Sequence, residues 1–129
     1  MEYPTADEIH ALHDRIVVHD AQTESGVRNT AAVESALTYI SSGYFGQAPD
    51  SIHEKAAHLM RLIAADHPYV DGNKRTALSA AAYLYYLNGY NFTADDQIRA
   101  HLRAFAMDAA AVDMDEVTDY LQTRVTEQQ

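Results

Sequence analysis

Apolar residues recur every three or four positions through most of this chain, which is the period of amphipathic helices. Thr5-Ala-Asp-Glu8 is a capping box. It predicts a helix to about Val18 that buries Ile9, Leu12 and Ile16 on one stripe. Gly26 breaks the pattern, and Asn29 or Thr30 caps a second helix through Val33, Leu37 and Ile40. Ser51-Ile-His-Glu54 is another capping box, opening a helix through Ala56, Leu59, Met60 and Ile63 to about Asp66. From Asn73 to Asn88 the residues Ala77, Leu78, Ala81, Leu84, Tyr85 and Leu87 are apolar almost all round, which marks the central, most buried helix, ended by Gly89. Helices from Thr93 to about Asp108 and from Asp113 to about Gln128 complete the set, and strand signals are almost absent. Between Ser41 and Asp50, Gly43, Gly46 and Pro49 surround Tyr44 and Phe45, as in a short hairpin or a flap over a cleft. The pattern reads as one all-α domain over residues 1–129, a bundle of about six helices with a short flap before the central helix pair.

Composition narrows the function classes. Of the chain's 129 residues, 47% are hydrophobic, enough for a core at a length that fits one domain. No cysteine is present, so disulfides and thiolate metal sites are excluded. Nineteen acidic side chains against nine basic ones give a net charge of -10. Such a surface repels phosphate backbones and anionic lipid, which argues against direct nucleic-acid or membrane partners. The same balance suits either a protein working in high salt or an ordinary acidic bacterial protein. No stretch reaches the ~20 apolar residues of a membrane span. The N-terminus lacks the basic-then-apolar order of a signal peptide, so a cytoplasmic location is expected.

The chemistry concentrates in His67-Pro-Tyr-Val-Asp-Gly-Asn-Lys-Arg75, between two predicted helices. A helix N-terminus offers unpaired N–H groups and partial positive charge to an anion. Gly72 allows close backbone approach, Asn73 brings an amide donor, and Lys74 and Arg75 place two cations in the first turn. Those cations oppose the helix dipole by roughly 0.3–1 kcal/mol each, a penalty that a bound polyphosphate would offset. Asp71 is the single carboxylate that Mg²⁺ needs when phosphate oxygens complete its shell. His67, at the other lip of the loop, belongs to the residue type best suited to take a proton at neutral pH. Base, metal carboxylate and phosphate cradle together make a phosphoryl- or nucleotidyl-transfer constellation. Asp-Gly-Asn is also a common turn and a histidine a common helix end, so the residues alone leave a purely structural reading open.

The segment from His67 to Leu78 resembles the signature of the Fic and death-on-curing (Doc) superfamily, His-x-Phe-x-Asp/Glu-Gly-Asn-Gly-Arg-x-x-Arg. Upstream, Gly26-Val-Arg28 and Val33-Glu-Ser-Ala-Leu37 are similar to the segment before the flap in Doc-like proteins. Three positions depart from the pattern. Tyr69 stands for Phe and keeps the anchoring role if its hydroxyl finds a partner. Lys74 replaces a second glycine and Leu78 a second arginine, as in the Doc branch. The resemblance implies a Fic/Doc-like fold, ATP and Mg²⁺ as cofactors, and transfer of the γ-phosphoryl group to a hydroxyl of a translation factor like elongation factor Tu. It further implies a toxin restrained by a cognate antitoxin. His67 becomes the general base and Asp71 the catalytic carboxylate that holds Mg²⁺ or orients the acceptor. Gly72 and Asn73 form the anion hole, Lys74 and Arg75 neutralise phosphate charge, and Tyr44 and Phe45 belong to a flap that pairs with an extended target segment. Two other readings are a Fic-type adenylyltransferase and an inactive binding module of the same fold.

Other candidates carry less. His10, His13 and His19 on the first helix read as a solvated face rather than a metal site. His53 and His58, five apart, fall on different faces. Tyr83, Tyr85, Tyr86 and Tyr90 read as core and rim packing, with an adenine-stacking wall as the alternative, and the acidic last helix reads as solvated. Thr30 to Glu34 and Thr123 to Glu127 only approximate the Ser/Thr-x-x-x-Glu-Gly/Asn inhibitory motif of Fic proteins, so restraint is expected from a separate chain.

Overall fold

A computed structural model describes all 129 residues. Six α-helices account for most of the chain: α1 (Ala6–His19), α2 (Thr30–Ser41), α3 (Ile52–Asp66), α4 (Asn73–Leu87), α5 (Gln97–Asp108) and α6 (Met114–Gln122). Two three-residue strands, β1 (Tyr90–Phe92) and β2 (Val125–Glu127), pair antiparallel with Tyr90 opposite Glu127 and Phe92 opposite Val125. The all-α expectation holds, and no helix is long and apolar enough to cross a membrane.

Local chemistry sets most helix starts. Thr5 accepts from the Glu8 N–H while the Glu8 carboxylate accepts from the Thr5 N–H, the full capping box. At Ser51 only half of the box forms: Ser51 caps the Glu54 N–H, but the Glu54 carboxylate accepts from Asp50. Asn29 and Asp113 cap α2 and α6 with their side-chain oxygens.

Helix α3, not α4, is the hub. It packs against α2, α4, α5 and α6, whereas α4 packs against α1, α3, α5 and β1. Ala56, Ala57, Leu59, Met60, Ile63 and Ala64 are buried along α3, where small residues let neighbouring helices approach closely. The polar second face of α3 concealed this, because Lys55 is buried as well. Its ammonium donates to the Ile40 carbonyl at 2.6 Å and lies 5.7 Å from the Tyr3 ring centroid. A cation thus closes the C-terminal turn of α2, where the helix dipole favours it. Lys55→Met is expected to lower stability by about 1–3 kcal/mol, since it leaves a buried carbonyl without a donor; urea unfolding measures it.

The C-terminal third departs from the helical expectation. Residues 90–92 leave the helix predicted from Thr93 to start only at Gln97, and the last helix stops at Gln122 rather than near Gln128. The pairing of β1 with β2 explains both, and it is held further by Gln128, whose side chain donates to the Tyr86 and Tyr90 carbonyls. Between Gly43 and Pro49 the chain makes a tight turn, with the Gln47 N–H donating to the Tyr44 carbonyl. Both central residues, Phe45 (φ 55°) and Gly46 (φ 77°), have positive φ, as hairpin turns of the primed type require.

Candidate functional site

The loop between α3 and α4 is shaped by two left-handed residues. His67 ends α3 with φ 48° and ψ 60°, and Gly72 opens α4 with φ 78°. Only glycine adopts the second conformation without strain, while a histidine at the first stores some. The first-turn N–H groups of Asn73, Lys74 and Arg75 have no intrahelical acceptor, as at any helix start, and Gly72 has no side chain to cap them. His67, Val70, Asp71, Gly72, Asn73, Lys74 and Arg75 line one concavity of about 340 Å³. His67 is exposed at its edge, and neither of its ring nitrogens makes a hydrogen bond within the chain.

Asp71 is held from two sides. One carboxylate oxygen accepts from the Glu24 N–H at 3.2 Å and the other from the Gly72 N–H at 2.8 Å. These bonds hold its carboxyl below the usual value, so it is ionised at neutral pH. No cluster of three His, Asp or Glu side chains forms here or elsewhere, so the protein builds no self-sufficient cation cage. A lone ionised carboxylate beside an anion cradle fits an ion that arrives with phosphate ligands, as Mg²⁺ does.

Asn73 has a different task from the one its sequence position announces. Its side-chain oxygen accepts from the Tyr69 N–H at 2.9 Å and its amide nitrogen donates to the Tyr69 carbonyl at 3.0 Å. The side chain braces the loop, and what this position offers an anion is its backbone N–H. Arg75 is likewise engaged, donating to Asp20 at 2.9 Å and to the Thr23 hydroxyl at 2.6 Å. The Gln22 N–H, Thr23 and Arg75 together hold the Asp20 carboxyl below its ordinary value. Lys74 is exposed and has no carboxylate within ion-pair distance.

Beneath the loop lies a group that sequence reading missed. Tyr69 is fully buried, and its hydroxyl shares a 2.8 Å hydrogen bond with His10 Nδ1. His13 stacks on the Tyr69 ring, centroids 3.8 Å apart and planes 6° from parallel, and its Nε2 donates to the Asp71 carbonyl at 2.8 Å. The expectation of a solvated histidine face on α1 is therefore wrong for His13, which is only 2% exposed, and His10 is half-buried. The available signal was the spacing of Ile9 and His13 on one helix face, together with a tyrosine whose hydroxyl needed a partner. From the other side the extended segment 26–29 clamps the loop: Arg28 and Asn29 N–H groups donate to the Pro68 carbonyl, and Val70 donates to Gly26.

Burial, with the Asp14 charge as the lesser cause, pushes the Tyr69 hydroxyl up to about 12. Its neutral form is favoured in the fold, so its contribution is complete below about pH 10, where an unfolded tyrosine ionises, and is lost as pH rises toward 12. The expected loss from Tyr69 is about 2 kcal/mol by that pH. In an alkaline absorbance titration of the nine tyrosines, Tyr69 and the also-buried Tyr85 should ionise last, together with unfolding.

Tyr44 and Phe45 do not line the concavity; Phe45 is fully exposed on its turn and Tyr44 packs on Tyr39. Tyr83, Tyr85, Tyr86 and Tyr90 do not line it either. Tyr85 bonds His53 Nδ1 from the core, and Tyr83 bonds Glu8 at the rim, the packing role expected of them.

A family model described as Fic/DOC family matches residues 3–85, well over half of the chain. The chain is also similar to Toxin Doc of Mycolicibacterium smegmatis (strain ATCC 700084 / mc(2)155), with 36% identity over 73 residues. That match covers 56% of this chain and 56% of the relative, so it spans little more than half the length of either.

Proposed function

The chain belongs to the Fic/DOC family, and from that premise we propose that it is a Doc-type toxin of a toxin–antitoxin pair. Its activity is transfer of the γ-phosphoryl group of Mg²⁺-bound ATP to a hydroxyl of a translation factor resembling elongation factor Tu. The observation that carries this reading is the meeting of His67, Asp71 and the uncapped start of α4 around one concavity.

In this mechanism His67 accepts the proton of the attacking hydroxyl, a role its free ring nitrogens suit. The N–H groups of Asn73, Lys74 and Arg75 stabilise charge on the phosphoryl oxygens, and the Lys74 ammonium adds a mobile cation. Arg75, fixed by Asp20 and Thr23, holds the first turn of α4 in place and contributes a partly neutralised charge. Asp71 is the residue that would hold Mg²⁺, whose chemistry when bound is to neutralise phosphate charge. Tyr44 and Phe45 present a strained turn to an extended segment of the target protein. A cognate antitoxin chain restrains the enzyme.

The test is one incubation with the host's elongation factor and ATP labelled at the α or the γ phosphate. Label moving only from γ is the expected result. Transfer from α means a Fic-type adenylyltransferase, and transfer from neither means a binding module of the same fold.

A further inference from the structure

Beside the His67 concavity runs a second groove of about 370 Å³ between α4 and α5, lined by Lys74, Arg75, Leu78, Ile98, Arg99, Leu102 and Arg103. Four of the chain's nine basic side chains lie on it, and no acidic one does. In a chain with 19 carboxylates, Lys74, Arg99 and Arg103 nevertheless have none within ion-pair distance. Arg99 and Arg103 are four apart on α5, so they share a helix face and repel one another. A face that keeps two such charges without an intervening acid is matched to a polyanion.

Lys74 and Arg75 line both hollows, so the groove continues the phosphate cradle. Its floor is apolar, formed by half-buried Leu78 with Ile98 and Leu102, which are 4% and 5% exposed. Leu78 brings no charge to the groove, so beyond Lys74 and Arg75 its cations come from α5.

We propose that this groove holds the part of a nucleoside triphosphate that is not transferred, with Arg99 and Arg103 binding its remaining phosphates. The proposal rests on the nucleotide-transfer reading of the site and adds to it two residues outside the signature segment. An acidic protein segment would also match the charge, but the shared lining with the α4 N-terminus favours a ligand whose phosphates already lie there.

Calorimetric titration of the full chain with Mg-ATP and with adenosine tests it. Arg99→Gln combined with Arg103→Gln should weaken ATP binding by about tenfold or more, as the loss of charge-assisted hydrogen bonds implies. Adenosine binding should change by less than about twofold, and Arg99→Lys with Arg103→Lys should restore most ATP affinity. Both arginines are exposed, so circular dichroism should be unchanged. If the glutamine pair leaves ATP affinity intact while Lys74→Gln lowers it, the groove assignment is overturned and the nucleotide site stands. Equal losses for ATP and adenosine also overturn it, because the arginines then do not act on the phosphates. A wild-type chain that binds no nucleotide overturns both readings.

Discussion

With alanine at position 67, transfer should fall by about 10²–10⁴-fold, the range for a lost general base. Glycine at the same position sharpens the result. His67 sits in the left-handed region, with φ 48° and ψ 60°, where a Cβ is unfavourable and glycine is the usual helix-ending residue. His67→Gly should therefore lose transfer to the same extent while raising stability by about 0.5–1 kcal/mol. Denaturant unfolding and the labelled-ATP assay, run on the same preparation, read both signs. A histidine kept for helix ending alone would give the stability gain with transfer intact, and that outcome would remove His67 from the mechanism.

The second large effect belongs to Asn73. Its side chain satisfies both the N–H and the carbonyl of buried Tyr69. Asn73→Ala leaves two buried backbone groups without partners, with an expected loss of about 2–5 kcal/mol. Asn73→Asp keeps the acceptor for the Tyr69 N–H but turns a carboxylate toward the Tyr69 carbonyl, and should lose less than alanine because the α4 dipole favours negative charge at this end. A chain that tolerates alanine here within about 0.5 kcal/mol would show that the loop holds itself without this brace. Thermal and urea melts order the three proteins.

What the sequence made legible follows from how local each interaction is. Thr5 and Glu8, three residues apart, close their capping box as read, and Asn29 and Asp113 cap where short-range rules put them. Ser51 and Glu54 already deviate, because a neighbouring N–H at Asp50 competes for the same carboxylate. Strands β1 and β2 escape a periodicity reading altogether. Each has three residues, too few to show alternation, and their partners lie 33 to 37 positions apart. At the site, the residues of the signature segment meet around one hollow, but their tasks divide differently. Asn73 reads as a ligand donor and serves as a brace, because nothing in its neighbours announces that the Tyr69 main chain lacks partners. His13 reads as a surface residue because it is polar and sits near His10 and Asp14, its one local sign of burial being its place four residues after Ile9. Only the tyrosine ring 56 positions later, stacked on it, accounts for its place.

The bracing of the loop has an order in time. His10, His13, Glu24 and the segment 26–29 all precede residue 67, so every partner of the loop except Asn73 leaves the ribosome before it. Once α4 has emerged, every hydrogen-bond partner of the loop is present, while Arg99 and Arg103 have still to be made. The matched family segment, residues 3–85, ends within α4, before either arginine. Helices α5 and α6 lie outside that segment yet complete the core through Ile98, Leu102, Phe105, Val117, Tyr120 and Leu121, so their exposed positions are free to diverge while the face that packs on α3 is not.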